Sequence, residues 1–251
     1  MNIEISYVVI TVVLTVLLVA LELFVPAREY SKNEKKNSYI TNFFIFGANN
    51  VVAFLLQISA VFTLVILWSP GSTYFMMLPM WAQGLLGVII LDFSIWTWHM
   101  LNHKIPVLWS FHKCHHSETY LNASSAVRFH IGELLLSVLW KSTVLILVGI
   151  PLWVFLFSEF LLTAFALFHH ANIQLSEKVQ SWVEMVIITP YLHRVHHSDI
   201  RSEHDTNYGV IFTFWDRLFT TLHKTTPDRI GLRGVAEKNF PNFLLFPFRK
   251  K

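Results

Sequence analysis

Long apolar stretches separated by short polar segments dominate the chain. Runs of about 20 apolar residues are long enough to cross a bilayer as helices. Three such runs occupy residues 5–25, 43–68 and 77–100. The pattern predicts a transmembrane helix in each of them.

A fourth apolar stretch, residues 133–168, is interrupted by Gly149-Ile150-Pro151. Glycine and proline together mark a turn, so the stretch predicts two helical arms of roughly 27 Å each. Such arms suit either two short spans or a deep hairpin that does not fully cross, and the sequence leaves both open. Lys141 and Glu159 are equidistant from Ile150 and are predicted to pair across the hairpin, because an unpaired charge at that depth is costly.

Composition and charge also indicate a membrane protein. Hydrophobic residues make up 54% of the 251 residues and charged residues only 14%, against about 25% in soluble domains. If the chain zigzags in the order above, 18 of its 19 basic residues fall on one face. The positive-inside rule makes that face cytoplasmic, with the N-terminus outside. The basic surplus therefore indicates a surface at anionic lipid, and no nucleic acid is expected as a partner.

These patterns predict an all-α integral membrane protein. It has four to five transmembrane or hairpin helices and a cytoplasmic, histidine-rich helical cap. We divide it into N-terminal transmembrane helices (1–90), a catalytic domain that includes the hairpin (91–222) and a cytoplasmic C-terminal tail (223–251). Residues 176–188 alternate with helical period and predict an amphipathic helix, either in the membrane plane or packed on the cap.

Ten of the 13 histidines fall in four short groups, two of which share the pattern H-x-x-H-H. On a helix, positions i, i+3 and i+4 point the same way, so each such triplet directs three imidazoles into one volume. All four groups reach one membrane face in the predicted topology. The groups are His99 and His103; His112, His115 and His116; His169 and His170; and His193, His196 and His197.

Imidazoles crowded in this way cannot all be protonated, and metal ions bind their neutral form. Eight to ten imidazoles suffice for two ions, because a zinc site takes three or four ligands. The pattern therefore predicts a dinuclear, all-histidine metal site at the membrane face. Imidazole suits iron, zinc, copper and nickel alike. A zinc-dependent membrane hydrolase and a metal transporter or haem-binding membrane protein thus remain alternatives.

The order HxxxH, HxxHH, a histidine pair and HxxHH resembles the fatty acid hydroxylase superfamily, the group of sterol desaturases and sphingolipid hydroxylases, in its bacterial form. The similarity is strongest in LDFSIWTWHMLNH, HKCHHSETYLNASSAVRFH and TPYLHRVHHSDIRSEHDTNYGVIFTFWDRLFTT. Many relatives have arginine and proline where this chain has Met100 and Ile131. The resemblance places the metal ligands on eight histidines and on His170, with His169 as an alternative. The eight are His99, His103, His112, His115, His116, His193, His196 and His197.

The resemblance implies an enzyme with two iron ions that uses O2 to hydroxylate or desaturate a lipid C–H bond. It also implies a separate electron donor, either a cytochrome b5-like protein or a ferredoxin with its reductase. Which lipid is oxidised stays open.

Four further side chains are predicted to support the ligands. Asp92 lies two helical turns before His99 and is expected to accept a hydrogen bond from a ligand imidazole; pairing elsewhere in the helix bundle is the alternative. Asp205 and Asn207 are expected to support the last triplet in the same way, unless they only shape a turn. His130 is expected beside the ligands or at the entrance to the site.

Overall fold

The computed structural model of the protein describes residues 3–67, 72–235 and 239–249. These residues form helices joined by short loops, and within the same ranges there is no β-strand, as the all-α prediction requires. The helices are α1 (Ile3–Phe24), α2 (Lys32–Leu55), α3 (Ile58–Leu67), α4 (Ser72–Met76), α5 (Met80–Lys104), α6 (Pro106–His116), α7 (Ile131–Val148), α8 (Leu152–His170), α9 (Glu177–Val183), α10 (Pro190–His196), α11 (Arg201–His204), α12 (Phe214–Leu218) and α13 (Phe240–Leu245).

Four of these helices, α2, α5, α7 and α8, are long and apolar enough to cross a membrane. Large apolar side chains cover their outer surfaces; Phe54 is 81% exposed and Leu147 is 76% exposed. An apolar surface of this extent would be unstable in water and suits contact with lipid. The protein is therefore a membrane protein, as its composition predicts.

The second predicted span, residues 43–68, is wrong in its limits. Helix α2 begins eleven residues earlier, at Lys32, because Ser31 and Glu34 form a capping box. It ends at Leu55, and the chain turns at Gln57, whose φ is 49°, before α3 begins. The early turns of α2 contain polar residues, which the apolar pattern excludes. The first of these are exposed, and Ser38 and Asn42 in the following turns are buried against polar partners. Trp68 lies outside the described residues.

The predicted turn and its two helical arms are confirmed. Helix α7 ends at Gly149, whose φ of 74° is the left-handed conformation that glycine adopts without strain. Pro151 then caps α8. Across the two arms, Nζ of Lys141 lies 2.6 Å from Oε2 of Glu159, so the predicted ion pair forms.

Helices α5 and α8 pack closely in the centre of the bundle. The approach depends on Gly87 of α5, because a methyl group added there would lie 2.0 Å from Cγ1 of Val154. A methyl group added to Gly84 would be tolerated, since it would lie 3.5 Å from the ring of Trp153, an ordinary contact distance. Val154 itself is fully buried in the main apolar core. This contact sets the separation of the two helices whose C-terminal ends carry histidines.

Glu22, near the end of α1, joins several segments at one face of the bundle. Its Oε1 accepts hydrogen bonds from the backbone N–H of Ala123 and of Asn172, at 2.7 and 2.8 Å. Its Oε2 accepts from the hydroxyl of Tyr39, at 2.6 Å. The end of α1, the first turns of α2 and the end of α8 therefore lie on the same face, the one where the histidine groups are found.

A buried polar network attaches α2 to the segment that follows α6. The guanidinium of Arg128 is fully buried and donates to Oδ1 of Asn42 at 2.9 Å. Asn42 in turn donates to Oε1 of Glu118 at 3.0 Å, and the hydroxyl of Ser38 donates to the same oxygen. The polar residues of α2 thus pair inside the protein, which explains why this helix extends beyond its apolar part.

The two peripheral segments also differ from expectation. The predicted amphipathic helix 176–188 is helical only over α9, after which the chain turns. Its apolar side chains remain exposed, with Trp182 at 65% and Val186 at 56%. The C-terminal segment packs back onto the bundle, where Phe243 is fully buried in a cluster with Ile45 and Cys114.

The close approach of α5 and α8 predicts that Gly87→Ala destabilises the protein. Its methyl group overlaps Val154, and overpacking of this kind costs about 1–3 kcal/mol. We expect a lower unfolding midpoint in detergent, measured by the fluorescence of the tryptophans. Gly47→Ala on α2 is the matched control, because a methyl group there meets nothing within 4 Å. An equal effect of the two substitutions would contradict the packing argument.

Candidate metal centre

A sharp break between α5 and α6 brings the first two histidine groups together. Helix α5 ends at Lys104, Ile105 is extended, and Pro106 starts α6 in the position where proline is favoured. The chain therefore reverses within one residue. The ring of His103 lies 5.0 Å from that of His112 and 4.8 Å from that of His116.

The last triplet lies on the short helix α10. Thr189 caps this helix by accepting from the backbone N–H of Leu192, and Pro190 occupies its first position. His193 and His196 belong to the helix and His197 caps its end, so all three project to one side, as the i, i+3, i+4 spacing predicts. Helix α10 packs on α8, whose last residue is His170.

Nine of the ten predicted histidines form two groups. Within each group, every histidine has a ring nitrogen that lies within 4.8 Å of those of the other members. The first group is His99, His103, His112, His116 and His196, and the second is His115, His170, His193 and His197. The groups adjoin, since the ring of His116 stacks on that of His197 at 4.5 Å. Four separate segments of the chain therefore contribute imidazoles to one buried volume.

His169 is outside both groups, although its ring centre lies 4.0 Å from that of His193. Its Nδ1–H donates to the carbonyl oxygen of Val210 at 3.1 Å. Of the histidine pair at the end of α8, His170 therefore faces its group, and His169 lies beside it on the wall of a cavity.

Backbone and carboxylate oxygens orient four of the five rings of the first group. These oxygens only accept hydrogen bonds, so each facing Nδ1 carries the proton and each Nε2 keeps a lone pair. Nδ1 of His112 donates to Glu133 at 2.7 Å, and Nδ1 of His103 donates to Asp205 at 3.2 Å. The carbonyl oxygens of Tyr208 and Thr206 accept from His99 at 2.8 Å and from His196 at 2.7 Å.

The second group brings its Nε2 atoms almost into contact. Nε2 of His170 lies 3.1 Å from that of His115 and 3.0 Å from that of His193, and Nε2 of His193 lies 3.1 Å from that of His197. Two nitrogens bound at right angles to one ion, each at about 2.0–2.1 Å, are about 3 Å apart. The spacing of this group therefore fits ligands of a shared ion.

Unpaired nitrogens in the first group fit a metal equally well. Nε2 of His103, His112, His116 and His196 is buried and has no hydrogen-bond partner among the described residues. A buried polar atom without a partner costs about 1–3 kcal/mol. Coordination of a cation by these lone pairs would remove this cost. Both groups can therefore hold metal.

Burial keeps five of the histidines outside the spanning helices neutral. Loss of solvent, and then the neighbouring imidazoles, hold the pKa of each of five histidines well below the usual value near 6.5. Near pH 7 these rings are therefore in the form that binds metal. The five are His115, His116, His193, His196 and His197.

The predicted role of Asp92 is wrong in its partner. Its carboxylate accepts from the backbone N–H groups of Ile211 and Phe212, at 2.9 and 3.3 Å, and from the indole of Trp215 at 2.8 Å. It therefore fastens α5 to the segment that follows α11. Asp92 lies two helical turns from His99 and does not contact its ring. The aspartate holds the segment in place, and carbonyl groups of that segment accept hydrogen bonds from the histidine rings.

The predictions for Asp205 and Asn207 need correction as well. Asp205 does accept from an imidazole, but that of His103 in the first pair, and not one of the last triplet. Asn207 shapes a turn, with φ 52°; its amide donates to the carbonyl groups of Leu192 and His223, at 2.9 and 2.8 Å. The alternative of turn chemistry is correct for Asn207.

His130 does not contact either group, and it does not line the cavity. Its Nδ1 accepts from the backbone N–H of Gly132 at 3.0 Å and caps α7, while its Nε2–H donates to the carbonyl of Leu244 at 3.1 Å. The supporting residue is instead Glu133, the partner of His112, which sequence reasoning missed. Its signal was a carboxylate at the start of an apolar run.

Sequence reasoning also missed Asp216. This buried carboxylate accepts from the backbone N–H groups of Tyr208 and Gly209, at 2.9 and 2.8 Å, and from the indole of Trp96 at 3.0 Å. Burial raises its pKa, and these hydrogen bonds partly offset the rise. Together with Asp92 it holds the loop whose carbonyl groups orient His99, His169 and His196.

An apolar cavity of about 380 Å³ opens beside the two groups. One face of α5 lines it through Ile95, Trp98, His99 and Asn102, a helical i, i+3, i+4, i+7 series. The other walls come from α2, α7 and α8. These helices are long and apolar enough to cross a membrane, so the cavity lies between candidate spans and adjoins the metal-binding groups.

Comparison with known proteins agrees with this arrangement. The fatty acid hydroxylase family matches residues 84–221, more than half of the chain and the part that carries all ten grouped histidines. The chain belongs to the fatty acid hydroxylase family.

Within this family the chain is similar to several lipid-modifying enzymes. It is 34% identical over 176 residues to ornithine lipid hydroxylase OlsE of Rhizobium tropici, covering 69% of this chain and 52% of that protein. It is 30% identical to alkylglycerol monooxygenase of Danio rerio, covering 67% and 37% of the two chains. It is also 30% identical to cholesterol 25-hydroxylase of Mus musculus, covering 62% and 52%.

The similarity to these members of the fatty acid hydroxylase family is partial, since the matched part spans from a third to about half of each relative's length. No solved structure matches the chain significantly.

The lowered histidine pKa values predict that the metal-free protein loses stability as the pH falls. These groups take up protons in the unfolded chain near pH 6.5 but stay neutral when folded, so stability falls below that pH by about 1.4 kcal/mol per pH unit for each group. The raised pKa of Asp216 changes stability with pH in the opposite direction, but it is a single group, whereas five histidines have lowered pKa values. We expect the unfolding midpoint in detergent to drop between about pH 7.5 and pH 5.5.

His223→Ala should show the same slope, because that ring is exposed and only its backbone is hydrogen-bonded. His197→Gln should show a smaller slope. A midpoint that does not change over this pH range would contradict the buried neutral state of the histidines.

Proposed function

We propose that this protein is a membrane-bound non-haem di-iron oxidoreductase that uses O2 to hydroxylate a lipid C–H bond. The observation that carries the proposal is the pair of adjoining all-histidine groups, which together offer nine imidazoles beside an apolar cavity. Membership of the fatty acid hydroxylase family supports the reaction class. Desaturation begins with the same hydrogen abstraction; the names of the relatives, hydroxylases and monooxygenases, favour hydroxylation.

The chain's own residues prepare the site for this chemistry. Five histidines would hold one iron ion and four would hold the other; the chemistry that such ions supply when bound is the activation of O2. Glu133 and Asp205 keep the protons of His112 and His103 on Nδ1, so that Nε2 is free to coordinate. The apolar walls of α5, α7 and α8 receive the lipid and exclude water.

Orientation and partners form the second part of the proposal. Oxidation of a C–H bond by O2 requires two electrons from outside, so a separate donor is expected, either a cytochrome b5-like protein or a ferredoxin with its reductase. We place the histidine groups and the C-terminus on the cytoplasmic side and the N-terminus outside, because 18 of 19 basic residues then lie inside. The donor would dock on that basic face.

Replacing a ligand should abolish the reaction. We expect His115→Ala and His196→Ala, one from each group, to lower product formation by at least a hundredfold, measured by lipid mass spectrometry of cells with and without the protein. His223→Ala, an exposed histidine, should retain activity. Metal analysis should find about two iron ions per chain and turnover that depends on O2. Zinc with turnover independent of O2 would instead identify a hydrolase.

Removing a supporting carboxylate should weaken metal retention. We expect Glu133→Leu, which leaves Nδ1 of His112 without an acceptor, to lower metal affinity about 10–100-fold. The measurement is iron content after titration with a chelator. Glu133→Gln keeps an acceptor oxygen and should fall between the wild type and Glu133→Leu. Equal chelator resistance in all three proteins would exclude this role for Glu133.

A further inference from the structure

The Lys141–Glu159 ion pair is placed in the wall of the cavity, about midway along the hairpin arms. The side chains are 20% and 29% exposed, and both line the cavity that begins at the histidines. Ionisable groups within a membrane span are costly and usually serve a function. The metal-binding arrangement described above makes no use of this pair.

A row of polar side chains on α7 connects the pair with the metal-binding groups. Glu133, Ser137 and Lys141 line the cavity at intervals of four residues, so they follow one face of the helix. With a rise of about 1.5 Å per residue, Lys141 is about 12 Å along α7 from Glu133. Glu133 itself is hydrogen-bonded to His112. The cavity therefore has one polar position at the histidines and a second one about 12 Å deeper in the membrane.

Several polar atoms at these two positions lack partners. Oε1 of Glu159, Oε2 of Glu133 and both side-chain polar atoms of Asn102 are buried without a hydrogen-bond partner in the described part of the chain. Three of these four atoms are acceptors when the carboxyl groups are ionised. Buried acceptors without donors are unfavourable, and the hydrocarbon part of a lipid has no donor to offer.

We propose that Lys141 and Glu159 bind a hydroxyl or amide group of the lipid substrate, and so select lipids that carry such a group about 12 Å from the metal-binding end of the cavity. The free Oε1 of Glu159 accepts the N–H or O–H of the substrate, and Lys141 donates to its oxygen. A hydroxyl or an amide both donates and accepts, which matches this pair. The proposal deepens the proposed function and rests on it, since it names the class of lipid that the same site oxidises.

The double substitution Lys141→Met/Glu159→Leu tests this proposal. Replacing an ion pair by apolar residues of similar size is often neutral for stability, so the variant should fold. Lys224→Met/Glu184→Leu removes a second lysine–glutamate pair that does not line the cavity and is the matched control. The probes are decanediol, with a hydroxyl group at each end, and its dimethyl ether, which has lost both donors.

Binding is measured through the rise in unfolding midpoint of the full-length protein in detergent as each probe is titrated. The wild type and the control variant should bind the diol at least tenfold more tightly than the ether. The cavity variant should bind both equally. If the cavity variant unfolds during purification, Glu159→Gln keeps the packing, and its preference for the diol should fall at least threefold. A wild type without preference, or a cavity variant that keeps it, would overturn the proposal.

This binding assay separates the two proposals. It requires no turnover, so a failure of the iron-dependent reaction leaves its outcome unchanged. Conversely, loss of product in His115→Ala, together with an unchanged diol preference in the cavity variant, would retain the oxidase and reject the role of the ion pair.

Discussion

The structure depends on holding nine imidazoles close together in a buried volume. Proton uptake by several of them would place like charges side by side in a medium of low dielectric constant, which favours the neutral form. In the first group, four of the five rings donate from Nδ1 to fixed oxygens, which orients these rings and directs their Nε2 lone pairs inward. A cation then completes the arrangement, and for this reason a metal centre is the reading that the geometry favours.

The oxygens that orient these rings need support of their own. Thr206, Tyr208 and Val210 contribute backbone carbonyl groups from one loop. Asp92 and Asp216 hold that loop by accepting its N–H groups and by bonding to tryptophan indoles. The two carboxylates thus orient the histidine rings indirectly, by holding the backbone of the loop. The loop itself lies against α5, so the positions of the histidine rings depend on the helix packing, in which Gly87 of α5 admits α8.

The membrane accounts for the position of the site. In the proposed function, a lipid that reached the cavity from the bilayer would not leave an apolar environment. The histidine end of the cavity lies at one face of the bundle, where the proposed electron donor would have access. The polar positions along α7 differ from the surrounding apolar wall. Ionisable groups in such a wall are costly, which is the physical reason for proposing that they take part in recognition.

The sequence by itself determined the helical class, the hairpin turn at Gly149, the Lys141–Glu159 pair and nine of the histidines that meet, because each follows from periodicity or from the cost of burying charge. Tertiary structure alone decided the division of the histidines into groups of five and four, the exclusion of His169, and the true partners of Asp92, Asp205 and His130. It also decided the burial of polar side chains on α2, since Asn42 contacts Arg128 only in the folded protein. Spacing along a helix specifies the direction of a side chain, whereas its partner depends on segments that are a hundred residues away.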